Sequence, residues 1–513
     1  MAAPMRRDCV IGVDIGTQGT RAAAYALGGE LLAEASEASA LIRLAPGAVE
    51  EDPERQFASV CRTLRSCLEK ASIEPGSVAA VAIDGQMAGV IGLGIDGIAA
   101  TPYDSWLDTR CAGYIATMRE RAGERVLELT GNEPSYNHGP KILWWKGERP
   151  EAWARISSFV QPGGYAAMRL CGLRGDESFV DDTYLHFSGF ADNARRRWDE
   201  GLLAAFGVPA SKMPRIASPR EIVGKVTRGA AGASGLAEGT PVAAGLGDTA
   251  ASFLACGASS AGICVDVAGT ASVFAATVSS YAPDLRARVM GCGRSAVDGL
   301  WHSYAYVNGG GLNLNWFVES VLGSTDTAGA LARLGDAIRD LEPRLDDPYF
   351  VPHMDGRVTP SDPTLRGAWA GVTREHGAVR LYRAMLEGVA FEYAVYRDAV
   401  RAIHEGLELL ELRVTGGGAR ETAWNAMKAD ILGMSIATLE GSGGAPMGSA
   451  LVAGAACGAL PDLASAADSW ARPASRIGPD MRRGETYARR LPNYERLLGI
   501  LSGFPGQSGG NES

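Results

Sequence analysis

"IGVDIGTQGTR", residues 11–21, runs apolar and small residues into an aspartate and then turns through glycines and hydroxyls. Ile11, Val13 and Ile15 have the alternation of a strand, and a buried strand is a costly place for a charge. Asp14 sits inside it. The turn Gly16-Thr17-Gln18-Gly19-Thr20 ends on Arg21 and leads into a second apolar stretch, "AAAYAL" (22–27). A hairpin of this composition can wrap phosphates: glycines let the backbone come close, N–H groups converge on the anion, and threonine hydroxyls add neutral donors. Asp14, at the mouth of the turn, would then hold magnesium through water, since that ion keeps much of its hydration shell. Arg21 would offset phosphate charge. The plainer alternative is a tight hairpin whose aspartate bonds only to nearby backbone.

The pattern recurs. "VDIGTQGTRAAAY" begins at Val13 and "VDVAGTASVFAAT" at Val265, each an apolar strand, an aspartate, a Gly-Thr turn and a second apolar strand. Two such hairpins about 250 residues apart predict two domains of like architecture, with a boundary near residue 258. Strand-like runs such as "VAAVAIDG" (78–85) alternate with helical stretches such as 54–71 and 379–405, the α/β pattern. A third glycine site, "LRVTGGGAR" (412–420), leads from a short strand through Gly416-Gly417-Gly418 into the helical segment 421–433. Strand, glycine loop and helix N-terminus form a ready anion site, although each could be only a tight connection. "GSGGAPMGSA" (441–450) again precedes a helix. No Walker A motif is present, and "GLGIDG" (92–97) reads as a hairpin turn rather than a dinucleotide loop, because no helical spacing follows it.

Composition bounds the function. The 513 residues are too many for one core, and 46% hydrophobic with 21% charged residues is ordinary for a soluble globular protein. A net charge of −10 argues against nucleic-acid and acidic-membrane partners. The densest basic cluster, Arg195-Arg196-Arg197, is flanked by Asp192, Asp199 and Glu200 and reads as a solvated helix face. Nine scattered cysteines without a C-x-x-C pair suit a reducing compartment and indicate no zinc site. The N-terminus "MAAPMRRD" lacks a secretory apolar region, and 249–265 is too short and too rich in Ala, Gly and Ser for a membrane span, so a cytoplasmic location is expected.

Taken in order, several motifs resemble the FGGY carbohydrate kinases, nearest the xylulokinase branch. They are "GVDIGTQGTR" (12–21), "GQMAG" (85–89), "SWLDTR" (105–110), "KILWW" (141–145), "GLGDTAA" (245–251), "DVAGTAS" (266–272), "TPSDPTLRGAWAGVT" (359–373), "RAMLEGVAF" (383–391) and "VTGGGARETAWNAMKADILG" (414–433). The resemblance implies two actin-like, ribonuclease-H-type α/β domains, 1–258 and 259–505, with ATP and magnesium in the cleft between them and a disordered tail, 506–513. It also implies phosphorylation of a small-molecule sugar or polyol, and a homodimer as the assembly to expect. By the match, Asp248 is the catalytic base. Gly16, Thr17, Gln18, Thr20 and Arg21, with Gly269 and Thr270, form the phosphate loops; Asp14 is the magnesium-associated aspartate. Gly416, Gly417, Gly418 and Asn425 fall in the adenosine segment, and Met87, Ala88, Trp106, Asp108 and Tyr136 line the sugar pocket beside Asp248.

Phosphoryl transfer independently calls for a carboxylate that takes the acceptor proton, and Asp248 lies in a Gly-flanked turn after "PVAAGLG". A helix N-cap is its alternative role. The match departs at two places. Met87-Ala88 stands where xylulokinase-like chains read Met-His, so either the sugar differs or His138 or another side chain fills in; "GRVTP" (356–360) lacks the glutamate of "GERTP". The expected acceptor is an open-chain ketose such as a ketopentose, with another polyol or a sugar acid as the alternative within the family. An actin- or chaperone-like ATPase is the alternative outside it. His186 reads as structural, although it could border the cleft, and the tryptophans of "LWW" (143–145) read as core packing.

Overall fold

The computed structural model describes residues 8–441 and 443–502; the tail 506–513 lies outside the described residues. Each Asp-Gly-Thr hairpin opens its own sheet. In the first, Cys9–Ile15, Gly19–Ala26 and Leu31–Ala38 form an antiparallel meander, and Val78–Gly85 and then Pro241–Ala243 continue it in parallel from Cys9–Ile15. In the second, Ile263–Ala268 pairs antiparallel with Ser272–Val278, which pairs with Trp301–Val307, while Glu411–Thr415 and Ser435–Leu439 add on in parallel. The repeat seen in the sequence is thus a repeat of sheet topology. The strand order 3-2-1-4-5 of the first sheet reappears in the second.

Burial explains the apolar strands. Val10, Ile11 and Val13 are fully enclosed because helices cover both faces of the first sheet. One face carries the helix Pro53–Lys70, started by Asp52 accepting from the Glu54 N–H, together with Pro162–Cys171. The other face carries Asp248–Ala255, Ala445–Ala456 and Leu463–Trp470. The latter two helices belong, in chain order, to the expected second domain 259–505, yet they pack on the first sheet. The chain then returns, and Pro473–Ile477 pairs with Ser435–Leu439 in the second sheet. Small residues permit this crossing. A Cβ on Gly12 would lie 1.8 Å from the Pro446 carbonyl oxygen, and one on Gly448 would lie 2.0 Å from that of Ala251.

The long helix foreseen at 379–405 is Ala378–Ile403, packed against the second sheet, with Gly406 left-handed just beyond it. The Arg195-Arg196-Arg197 triplet, expected on a helix face, instead makes the turn between the short strands Ala191–Asp192 and Arg197–Trp198. Arg195 and Arg197 pair with Asp192, and Arg196 pairs with Asp182 at 2.6 Å. The local carboxylates outcompete helix propensity there. The nine cysteines form no disulfide, and no described helix is long and apolar enough to cross a membrane.

Candidate active site

Three carboxylates gather at the ends of neighbouring strands. Asp14 and Asp84 are direct partners in the parallel pairing of Cys9–Ile15 with Val78–Gly85, so their side chains leave the sheet on the same face. Leu246 pairs with Asp84 on the other side, which brings Asp248 next to them at the first turn of the helix Asp248–Ala255. Gly247, not Asp248, is the N-cap, so the capping role considered for Asp248 is not the one it has. Its Oδ1 accepts from the Thr249 hydroxyl at 3.1 Å. Burial, reinforced by the charge of Asp14, pushes the Asp248 carboxyl up to about 7. Burial also raises Asp14 and, more strongly, Asp84, whose Oδ2 accepts from Ser449 at 2.6 Å.

The site lies between the lobes. Met87 and Thr249 from the first lobe and Arg294, His302 and Tyr304 from the second line one small cavity. His186, read as structural, spans the seam through Nε2 to the Tyr304 hydroxyl at 2.7 Å.

The two hairpins expected to hold phosphate have the tight geometry their glycines allow. Gly16 and Gly19 exchange backbone bonds of 3.0 and 3.3 Å, leaving Thr17 and Gln18 at the tip. Thr20 is buried, and Arg21, directly across from Asp14, donates to the Gly443 carbonyl at 2.8 Å. On the second lobe Gly269 and Thr270 meet a glycine loop that the sequence reading passed over, Gly309-Gly310-Gly311, which opens the helix Gly310–Trp316. Gly311 donates to the Gly269 carbonyl at 3.0 Å, and a Cβ on Gly310 would lie 2.1 Å from the Ser272 hydroxyl. Gly416, with φ of 85°, leaves no room for a Cβ, which would lie 2.6 Å from the Ala268 carbonyl oxygen. Gly417 and Gly418 follow, and Asn425 donates to the Ala419 carbonyl while its own carbonyl oxygen, buried, has no partner. The Gly269-Thr270 turn therefore sits against both the Gly309–Gly311 loop and the Gly416–Gly418 loop.

The residues expected on the sugar side separate into two groups. Met87, 8% exposed, packs against Gly247, where a Cβ would lie 1.9 Å from its sulfur, so it touches the residue preceding Asp248. Ala88 is half-buried beside it. Trp106 and Tyr136 are open at 43% and 40%, and the Trp106 indole donates to the Thr17 hydroxyl at 2.8 Å, tying the sugar side to the phosphate hairpin. Asp108 is different. Its carboxylate is consumed by the Val49 N–H and by the backbone and side chain of Arg110, which makes it a support of the loop. His138 donates through Nε2 to the Met87 carbonyl at 2.6 Å, and burial lowers it to about 4, so its ring is neutral. The "LWW" tryptophans do more than fill core. Trp145 donates to Asp104 at 2.5 Å, and Trp144 lies under the Arg110 guanidinium at 4.4 Å.

Asp84 escaped the sequence reading, although "AVAIDGQ" (80–86) repeats the apolar strand, aspartate and glycine of the opening motif. That repetition was the available signal. For magnesium, the unpartnered Oδ1 atoms of Asp14 and Asp84 are a fitting donor set. Residues 9–255 match the N-terminal domain of the FGGY family of carbohydrate kinases, and residues 264–457 match its C-terminal domain. The chain is similar to xylulose kinase of Escherichia coli K12, at 29% identity over 95% of this chain and 98% of that one. It is also similar to glycerol kinase of Pseudarthrobacter chlorophenolicus, at 29% identity over 90% of this chain and 92% of that one. The crystal structure of xylulose kinase from Rhodospirillum rubrum superposes with a TM-score of 0.86 at 26% identity, covering 96% of this chain and 98% of that one. With paired hairpins, a glycine cradle and a desolvated carboxylate between matching domains, the chain belongs to the FGGY family of carbohydrate kinases.

Proposed function

We propose that this protein transfers the terminal phosphoryl group of ATP, with magnesium, to a primary hydroxyl of a small open-chain sugar of the ketopentose class. The observation that carries this is Asp248: a desolvated carboxylate, raised to about 7, placed at a helix start beside Asp14 and directly after Gly247, against which Met87 packs. A base of that strength is half ionised near neutrality and takes a hydroxyl proton as the oxygen attacks. Magnesium, when bound at Asp14, neutralises phosphate charge. The N–H groups of the Gly16–Thr20 turn and of Gly269-Thr270 orient the phosphates, Arg21 adds positive charge, and Gly416–Gly418 with Asn425 receive the adenosine. Met87, Ala88, Trp106 and Tyr136 face the sugar, and closure of the lobes excludes water.

Ketopentoses come first because a named relative, the E. coli protein, is a xylulose kinase. The polyol and sugar-acid alternative has its own support. Ala88 offers a methyl where an imidazole would contact a sugar hydroxyl, and His138 is engaged with the Met87 backbone. Losing one polar partner changes discrimination by orders of magnitude in sites built on hydrogen bonds. Purified protein with magnesium and ATP, assayed for ADP against ketoses, polyols and sugar acids, tests both. Sugar-dependent ADP release led by a ketopentose is expected. ADP release that ignores every sugar, or near-normal turnover by Asp248→Asn, would refute the kinase mechanism.

A further inference from the structure

We infer that Asp84 is a second protein carboxylate for the divalent cation, so that this chain grips the ion with the adjacent-strand pair Asp14 and Asp84 rather than with Asp14 alone. The inference rests on the kinase reading and extends its metal site. Asp84 is 0% exposed, yet one of its oxygens is left without a donor: Oδ2 takes the Ser449 hydroxyl, while Oδ1 has none, and Asp14 Oδ1 likewise has none. Strand register puts the two side chains on one face, within hydrogen-bonding reach of each other. Neither forms an ion pair with a basic side chain among the described residues. Arg21, across from Asp14, is turned to the Gly443 carbonyl.

The other half of the molecule shows what an internally balanced version looks like. Asp266, the counterpart of the half-buried Asp14 in the sequence repeat, is 0% exposed, and there Lys428 reaches it at 2.5 Å and the Tyr393 hydroxyl donates at 2.6 Å. Among the described residues no lysine reaches Asp14 or Asp84, and the first half places a second carboxylate beside Asp14 instead. Unbalanced charge in a dry site costs several kcal/mol, and a cation cancels it. Ser449, on the helix that crosses back from the second half, fixes the rotamer of Asp84 so that Oδ1 remains free. Magnesium is commonly held by one or two carboxylates together with substrate phosphates, which is the donor set present here.

The test is a titration of Mn2+, followed by electron paramagnetic resonance, into the full chain saturated with ADP, comparing wild type, Asp84→Asn, Asp84→Ser and Asp14→Asn. Circular dichroism and ADP affinity confirm folding, and the serine variant serves if the asparagine variant does not fold. Loss of at least about tenfold in Mn2+ affinity in the Asp84 variants is expected, the scale on which groups that position metals act. Wild-type Mn2+ affinity in either folded Asp84 variant overturns the inference. If Asp14→Asn alone loses Mn2+, only the role of Asp84 falls. If Asp14→Asn also keeps it, the metal assignment of the kinase reading falls as well.

Discussion

Asp248 gains its chemistry from where Gly247 lets it sit. A side chain at 247 would displace Met87, so glycine there keeps Met87 close to the proposed base. Because burial raises the carboxyl to about 7, kcat/KM should climb as pH rises through about 7 and level off above it. Asp248→Asn should lose a factor of roughly 10² to 10⁴ in turnover and retain nucleotide affinity. Linkage runs in a definite direction. The folded state holds this proton more tightly than the unfolded chain, so the stability it contributes is present at acid pH and is lost as pH rises through about 7. Asp248→Asn should therefore melt higher than wild type at about pH 8 and converge with it near about pH 4, in parallel calorimetric scans. A variant that melts below wild type at the higher pH would count against a desolvated carboxylate.

Elements here are joined by close approach. The helix Ala445–Ala456 touches the first sheet because Gly12 has no side chain, and the contact carries Ser449 to Asp84. Gly12→Ala should cost about 1–3 kcal/mol in urea denaturation, the range for forced overpacking, and should weaken the Ser449 contact with it. In the second lobe, the helix Thr422–Leu432 is anchored from beneath by Lys428, which lies 3.7 Å above the Trp424 ring and pairs with Asp266. Lys428→Met leaves Asp266 buried without its opposite charge, held only by the Tyr393 hydroxyl. Destabilisation of about 3–5 kcal/mol is expected, accompanied by weaker ADP binding because Gly416–Gly418 lead into that helix. Unchanged melting would mean that Asp266 is balanced by something other than its lysine. "GRVTP" also finds its explanation at this scale. Arg357 pairs with the buried Glu392 of the helix Ala378–Ile403 at 3.0 Å, and although burial opposes it, His353 and Arg357 bring that carboxyl down to about 2.

At the scale of the molecule, two lobes built on sheets of like topology meet at a seam that includes His186–Tyr304 and the Asn193 side chain bonded to the Cys292 carbonyl. The proposed base and sugar wall belong to one lobe and the Gly416–Gly418 loop to the other, so the proposed transfer requires them to approach. Small-angle scattering should show a smaller radius of gyration with sugar and ADP together than with either alone, and an unchanged radius would exclude closure. Much of this was legible in sequence. Paired Asp-Gly-Thr hairpins, the triple glycine and the α/β alternation are local patterns, fixed by which backbone angles glycine allows and which faces apolar residues bury. Asp108 looked like a pocket residue by position, and only the Val49 N–H and Arg110, brought together by the folded loop, turned it into a support. Asp84 beside Asp14, Gly309–Gly311 beside Gly269, and residues 445–470 lying on the first sheet were decided by tertiary structure alone. Those neighbours are set by strand register and helix packing between segments far apart in the chain, and periodicity along the chain carries no record of which distant partner a strand will choose.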